Sequence, residues 1–349
     1  MRSLKLTCIC SSVLWCLASP PSSQASPLSE AAASLQPGEW TTLSTIGYGQ
    51  SLLFACNGIN NVLEWSNKGV WDAVNREVHF VGQGHTACAK HLVYSEADNT
   101  WRTEALPAGI EEFGHGYEHN AINPQNGDFY YRNYNSDQVE VFNSSTRRWS
   151  LLPRIRTSLQ VAGAIAYSPD AGGLLFVDGD FGVWFYRQSS NSWRTVATPA
   201  MGSIHNFASY NPAHKLIYFG GGDDSRRVYT FDADRNVTRI ADAPVPIAID
   251  SAMSVADPAT GIQLLFADNG RIYAYDRTND SWPNIGTHPV MDNALDWRVV
   301  IPISSYSVIM FLTWNFNNSA VLLYRHQNAS TPPPEPRRPS PPEDLAASQ

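Results

Sequence analysis

Charge is scarce in this chain. Asp, Glu, Lys and Arg make up 16% of its 349 residues, with 24 Lys and Arg against 32 Asp and Glu and a formal net charge of -8. No basic stripe stands out, so nucleic acid is not an expected partner. Long apolar runs are missing too. The most apolar stretch, Leu6 to Ala18, falls short of the ~20 residues that a bilayer-crossing helix needs, so no membrane span is expected. Cysteine is sparse: of five, Cys8, Cys10 and Cys16 lie in the first 25 residues, which leaves Cys56 and Cys88.

The two ends differ from the rest. Residues 1–25 carry Arg2 and Lys5, then the apolar run, then the small residues Ser23 and Ala25, the pattern of a secretory signal peptide. The expected location is therefore secreted: extracellular or periplasmic. In such a compartment Cys56 and Cys88 read either as a disulfide or as two buried thiols. Residues 26–37 read as a leader segment. Residues 328–349, "NASTPPPEPRRPSPPEDLAASQ", read as an extended proline-rich linker within a multidomain chain. Its close, "PPEDLAAS", resembles the opening strand of a fibronectin type III module.

What the chain has in quantity is aromatic residues, Trp 11, Tyr 15 and Phe 14, and they recur in register. Five units share one grammar: residues 69–107, 119–153, 161–200, 205–244 and 250–289. An apolar strand ends at a turn such as Asn123-Pro124, Ser168-Pro169, Asn211-Pro212 or Asp257-Pro258. A second apolar strand and a glycine-rich or polar loop follow. Then come a strand with an aromatic, a short turn and a strand marked by Trp. Tyr94 precedes Trp101 by seven residues, as Phe142 precedes Trp149, Tyr186 precedes Trp193 and Tyr275 precedes Trp282; the fourth unit departs, with Phe231 and Val237. A repeat near 44 residues with four short strands is a propeller blade. Residues 299–327 supply three strands of a sixth unit. "GEWTTLS", 38–44, has the form of its missing fourth, with Trp40 in the Trp slot. The expectation is an all-β, six-bladed β-propeller of four-stranded blades over 38–327. Its ring is closed by pairing of the N-terminal strand into the last blade, which removes exposed sheet edges.

On "FGGGDDSRRVYTFDADRNVTRIADAP" and the Asp/Asn…Trp…Pro blade ends, the chain resembles the kelch-like and galactose-oxidase-central-domain propellers. The resemblance implies architecture; function has to be argued from the site. The copper site of galactose oxidase, two His and two Tyr with one Tyr crosslinked to Cys, has no matching constellation here. No metal or cofactor is expected. "GGGDD" reads as turn chemistry, since no helix follows it to present an N-terminus to phosphate.

In a propeller, the loops that cross from one blade to the next gather near the axis on one face, together with the loops between second and third strands. "GIEEFGHGYEH" is such a crossover and is longer than its counterparts. It offers Glu112, His115, Tyr117 and His119. The same face is expected to carry Glu64, Trp65, His85, Lys90, His91, Arg132, Asp178, His205, Arg226, Asp250 and Trp297. Loops held on a rigid scaffold are where binding and chemistry concentrate. Three readings follow. The first is recognition of a glycan or an extracellular protein through these loops. The alternative is a carbohydrate-active enzyme of polysaccharide-lyase type, with His115, Tyr117 and His119 as catalytic candidates in acid–base chemistry beside an Arg or Lys. The third is a structural spacer.

Overall fold

Each repeat folds into one antiparallel sheet of four strands, and six such sheets are present. The computed structural model describes residues 25–54, 58, 60–84, 89–110, 114–134, 136–155, 162–249, 251–289, 297–315 and 318–327. Blade one comprises Val70–Asp72, Glu77–Gly82, Lys90–Ser95 and Thr100–Glu104. Blade two comprises Asn120–Ile122, Phe129–Arg132, Val139–Asn143 and Arg148–Leu151. Blade three comprises Ala164–Ser168, Gly173–Asp178, Gly182–Arg187 and Ser192–Ala197. Blade four comprises Asn206–Asn211, Leu216–Gly221, Val228–Phe231 and Val237–Ile240. Blade five comprises Ala252–Ala256, Gln263–Ala267, Arg271–Ala274 and Asn284–Thr287. The first strand of every blade packs against those of both neighbours, so the ring is complete.

Closure falls to blade six. Trp297–Ile303, Val308–Asn315 and Asn318–Tyr324 are joined in fourth position by Trp40–Thr42. Trp40 pairs with Tyr324, Thr41 with Leu323 and Thr42 with Leu322. The Trp40 ring stacks on Tyr324 at 4.5 Å and meets Phe311 at 5.1 Å. The six-bladed ring closed by its N-terminal strand is as the repeats imply.

The aromatic–Trp spacing of seven has a local cause and a long-range one. Tyr94 lies directly across from Trp101, Phe142 from Trp149 and Tyr186 from Trp193, with ring centroids 5.3, 5.1 and 5.4 Å apart. The hairpin between them turns through one left-handed residue two positions before the Trp: Asn99, Arg147, Asn191 or Asp280, at φ 53°, 55°, 47° and 45°. Asn and Asp tolerate that region best. The tyrosine hydroxyl donates back to that same residue in three blades, Tyr94 to Asn99, Tyr186 to Asn191 and Tyr275 to Asp280, at 2.7 to 2.9 Å. Three of the four indoles then latch the preceding blade. Trp149 Nε1 donates to Ala105 O at 2.7 Å, Trp193 to Pro153 O at 2.8 Å and Trp282 to Ala241 O at 3.1 Å.

Blades one and two are also clamped by charge. The Glu77 carboxylate accepts from Arg102 at 2.6 Å within its blade and from Arg147 of the next at 2.7 Å, with His79 Nε2 at 3.4 Å. Burial alone would raise this carboxyl, but the bonds from His79, Arg102 and Arg147 outweigh it and hold it far below its ordinary value of 4.5. A carboxyl depressed in the folded state stabilises at pH above its unfolded value and loses that contribution as pH falls through the acid range. Glu77→Gln is therefore expected to flatten the stability loss of the parent below about pH 4.5, read as Tm against pH. An unchanged acid limb would remove Glu77 from the clamp.

The segment before the ring, expected only as a leader, carries a docked helix. Pro27–Ser34 forms a helix, capped by Ser26 Oγ accepting from Ser29 N, with proline at its first position. Leu28 and Ala32, one turn apart, are buried in the core cluster of blades one and six. Arg325 ties it down through Ala32 O at 2.8 Å. Residues 1–24, Cys56, Cys88 and 328–349 lie outside the described residues, and with them the expected signal peptide and linker and the question of a Cys56–Cys88 disulfide.

Candidate functional site at the propeller axis

The crossover loops do converge, and what they bring together is a set of rings. Tyr117 lies 4.7 Å from His115, 5.3 Å from His119, 5.4 Å from His205 and 6.5 Å from Tyr134. Trp65 meets His115 at 5.9 Å and stacks on His205 at 6.3 Å with 22° between planes. Ala162 and Ile249, from the crossovers into blades three and five, close the cluster. Trp65, Tyr117 and His205 all hold left-handed backbone, at φ 55°, 37° and 62°. For bulky side chains that conformation costs about 1–3 kcal/mol each and persists only where the surroundings over-determine it. Backbone bonds between crossovers do this: Tyr117 N donates to Trp65 O at 2.7 Å, and Asn67 N to Tyr117 O at 3.2 Å.

The cluster is layered. Trp65, Tyr134 and His205 are half-buried, whereas His115, Tyr117 and His119 are only 3%, 5% and 0% exposed. Beneath them Arg132, fully buried, places Nη1 3.1 Å from His119 Nε2 and stacks its guanidinium 4.9 Å over Phe176. A guanidinium only donates, so His119 Nε2 is the acceptor and the imidazole is neutral. Burial, reinforced by the charges of Arg132, His115 and Lys68, pushes its pKa well below the ordinary histidine value. Burial also lowers Arg132 to about 10 against the pull of Asp178. Asp178 is itself buried, accepting from the backbone N–H groups of Asp180 and Phe181 at 3.1 Å each.

His119 therefore serves packing. His119→Ala is expected to cost about 2–4 kcal/mol in denaturant unfolding, by leaving a cavity and depriving Arg132 of an acceptor. A variant within about 0.5 kcal/mol of the parent, the range of surface substitutions, would return it to the surface set.

The other expected residues scatter. Glu64 caps its own turn, accepting from Asn61 N at 2.9 Å and Asn60 Nδ2 at 3.1 Å. Lys90 donates to the Ser51 and Leu52 carbonyls at 3.0 and 2.9 Å. His91 lies away from the axis, fully buried between blades one and two, with Nε2 3.0 Å from His79 Nδ1 and its ring on Phe129 at 5.3 Å. It sits on the third strand of its blade, and strand direction turns it into that interface. Arg226 is exposed on blade four. The backbone of Trp297 begins the inner strand of blade six. His85, Glu112 and Asp250 lie outside the described residues.

Deeper along the axis the sequence reading missed the dominant feature. Lys68 extends across the channel, donating to Ile165 O at 2.5 Å and Ala208 O at 2.8 Å, with Glu118 Oε2 at 3.1 Å. The two side chains are 12% and 3% exposed. Burial lowers the ammonium pKa and raises that of the carboxyl, and their mutual attraction opposes both shifts. This pair ties blades one, two, three and four at one point. A lysine beside an apolar inner strand, in "SNKGVWD", is the sort of buried charge that calls for a partner, but nothing local names it.

Past Lys68 the channel opens towards the opposite face as a well of ≈ 190 Å³ to which all six blades contribute. Its walls include Val70, Ala121, Ala166, Ala208, Val255 and Val300, and Pro124, Pro212, Pro258 and Pro302 lie towards its mouth. Among the described residues, no group of three or more His, Cys, Asp or Glu side chains is placed to hold a metal ion, and no helix is long and apolar enough to cross a membrane.

No family model matches this chain, and no curated protein does. A solved structure of a nidogen/laminin complex is similar to it with a TM-score of 0.49 and 12% identity, over 64% of this chain and 80% of that one. The propeller assignment rests on the six sheets themselves, and the kelch likeness remains one of repeat pattern.

Proposed function

We propose that the chain is an extracellular interaction module that takes a glycan or a protein surface on its crossover-loop face. One observation carries this reading. Trp65 and His205 are stacked, half-buried and held in left-handed backbone at the surface of the axial cluster. Rings that keep one face packed and one side open to water are typical anchors for sugar rings and partner side chains. The signal-like start of the chain and its proline-rich end support a secreted, multidomain setting.

The lyase reading is less favoured by the same geometry. A base must reach within about 3 Å of the proton it removes, yet His119 is fully buried with Nε2 engaged by Arg132, and Tyr117 is 5% exposed.

The test is a glycan array run in parallel with pull-down from extracellular fluid. Trp65→Ala combined with His205→Ala is expected to abolish the parent's hits in a variant that still melts cooperatively as a monomer, because both rings are only half-buried and neither belongs to the strands that close the ring. Retained hits in the folded double variant would overturn the proposal. An absorbance assay for unsaturated uronate products separates binder from lyase.

A further inference from the structure

The well on the opposite face is a second site, and its chemistry narrows what it can hold. Its ≈ 190 Å³ volume compares with the about 150 Å³ of engineered apolar cavities that stay dry and take up benzene. The polar groups around it are largely spent on the protein. The Lys68 ammonium donates to Ile165 O and Ala208 O and is paired with the Glu118 carboxylate at 3.1 Å. Asn120 exchanges both of its amide functions with the Val81 backbone, at 2.9 and 3.1 Å. Ser254 Oγ accepts from Gln263 at 2.9 Å. The aromatic rim groups direct their polar tips elsewhere: Trp71 Nε1 to Ser305, Tyr167 OH to Gln188 and Tyr210 OH to Asp170, at 3.1, 2.7 and 2.6 Å. What faces the well is mainly carbon, with the Ser209 and Ser304 residues the other hydroxyl-bearing part of its lining.

Charge excludes ionic ligands. The cation at the floor is neutralised by Glu118, so a carboxylate entering the well would have to displace that residue, and an ammonium would meet Lys68 directly. Either would also lose its hydration against alkyl walls, with no hydrogen bond in return.

We infer that the axial well binds a small uncharged ring, one aromatic ring bearing at most a hydroxyl, on the face opposite the crossover loops. The site is independent of the crossover-loop site, because the Lys68–Glu118 pair lies between the two.

The test uses toluene and phenol as probes, with benzoate and benzylamine as charged counterparts of the same shape. At millimolar concentration the neutral pair is expected to raise Tm by a few degrees, and the charged pair to leave it unchanged. Photolabelling the native protein with a neutral phenyl diazirine, with and without excess toluene, locates the site without any mutation. The label is expected on peptides spanning 68–71, 120–124, 208–212 and 254–258, and toluene is expected to protect them. Ser209→Leu and, separately, Ala256→Leu fill the well; whichever folds like the parent is expected to lose at least tenfold in toluene affinity. Label confined to outer strands, label that toluene does not displace, or an equal response to benzoate would overturn the inference.

Discussion

Deletion of residues 38–45 is expected to destroy the protein as a monomer. The deletion removes Trp40–Thr42 and leaves Asn318–Tyr324 as an open edge with unpaired backbone groups. An exposed apolar strand edge recruits other chains. It also strips the indole that covers Tyr324, Phe311 and Phe266, the last at 6.2 Å in edge-on contact. The expected result is concentration-dependent association in light scattering, with no cooperative melt at the parent Tm. The milder Trp40→Ala keeps the backbone ladder and should cost about 2–4 kcal/mol, less than a fully buried Trp because Trp40 is half-buried. A deletion variant that stays monomeric and melts like the parent would show that the ring does not need this strand.

Lys68→Met should be the most damaging single substitution in the interior. It strands the buried Glu118 carboxylate without its cation, and removes the ammonium donor from the Ile165 and Ala208 carbonyls. Removing one partner of a buried ion pair typically costs about 3–5 kcal/mol. The cost belongs to the orphaned charge more than to the pair, so Lys68→Met with Glu118→Leu should recover most of it. Urea unfolding of both single variants and the double closes the cycle, with an expected coupling of about 2–3 kcal/mol. A double variant as unstable as the sum of the singles would mean that the two side chains act separately.

The blade plan was legible because its signals are local. Tyr94, Asn99 and Trp101 belong to one hairpin, and the left-handed turn, hydroxyl bond and ring pair are satisfied within eight residues. The turns closing the inner strands are local too: Asn123, Ser168, Asn211 and Asp257 each accept from a backbone N–H two or three residues on. Even the closing strand could be found, because Trp40 fills a slot that the other repeats define.

The site was legible in composition and not in depth. "HGYEH" announces itself as a cluster, and its members do meet Trp65, His205 and Arg132. Which of them reach water depends on how the crossovers of other blades fold over them, and no window of sequence holds that information. The docked helix Pro27–Ser34 escaped notice for a similar reason, since its apolar face is only Leu28 and Ala32, and their partners lie in blades one and six.

The sequence by itself determined the unit, the count and the order of the blades, because strand alternation, turn residues and cross-strand aromatic pairs act over short separations. Only the tertiary structure decided what lies on the axis. Lys68 bonds carbonyls 97 and 140 residues away, and the well takes a few atoms from every blade. A ring closes its centre from all blades at once. The groups that meet there are set by the geometry of closure, and each repeat read alone gives no sign of the others.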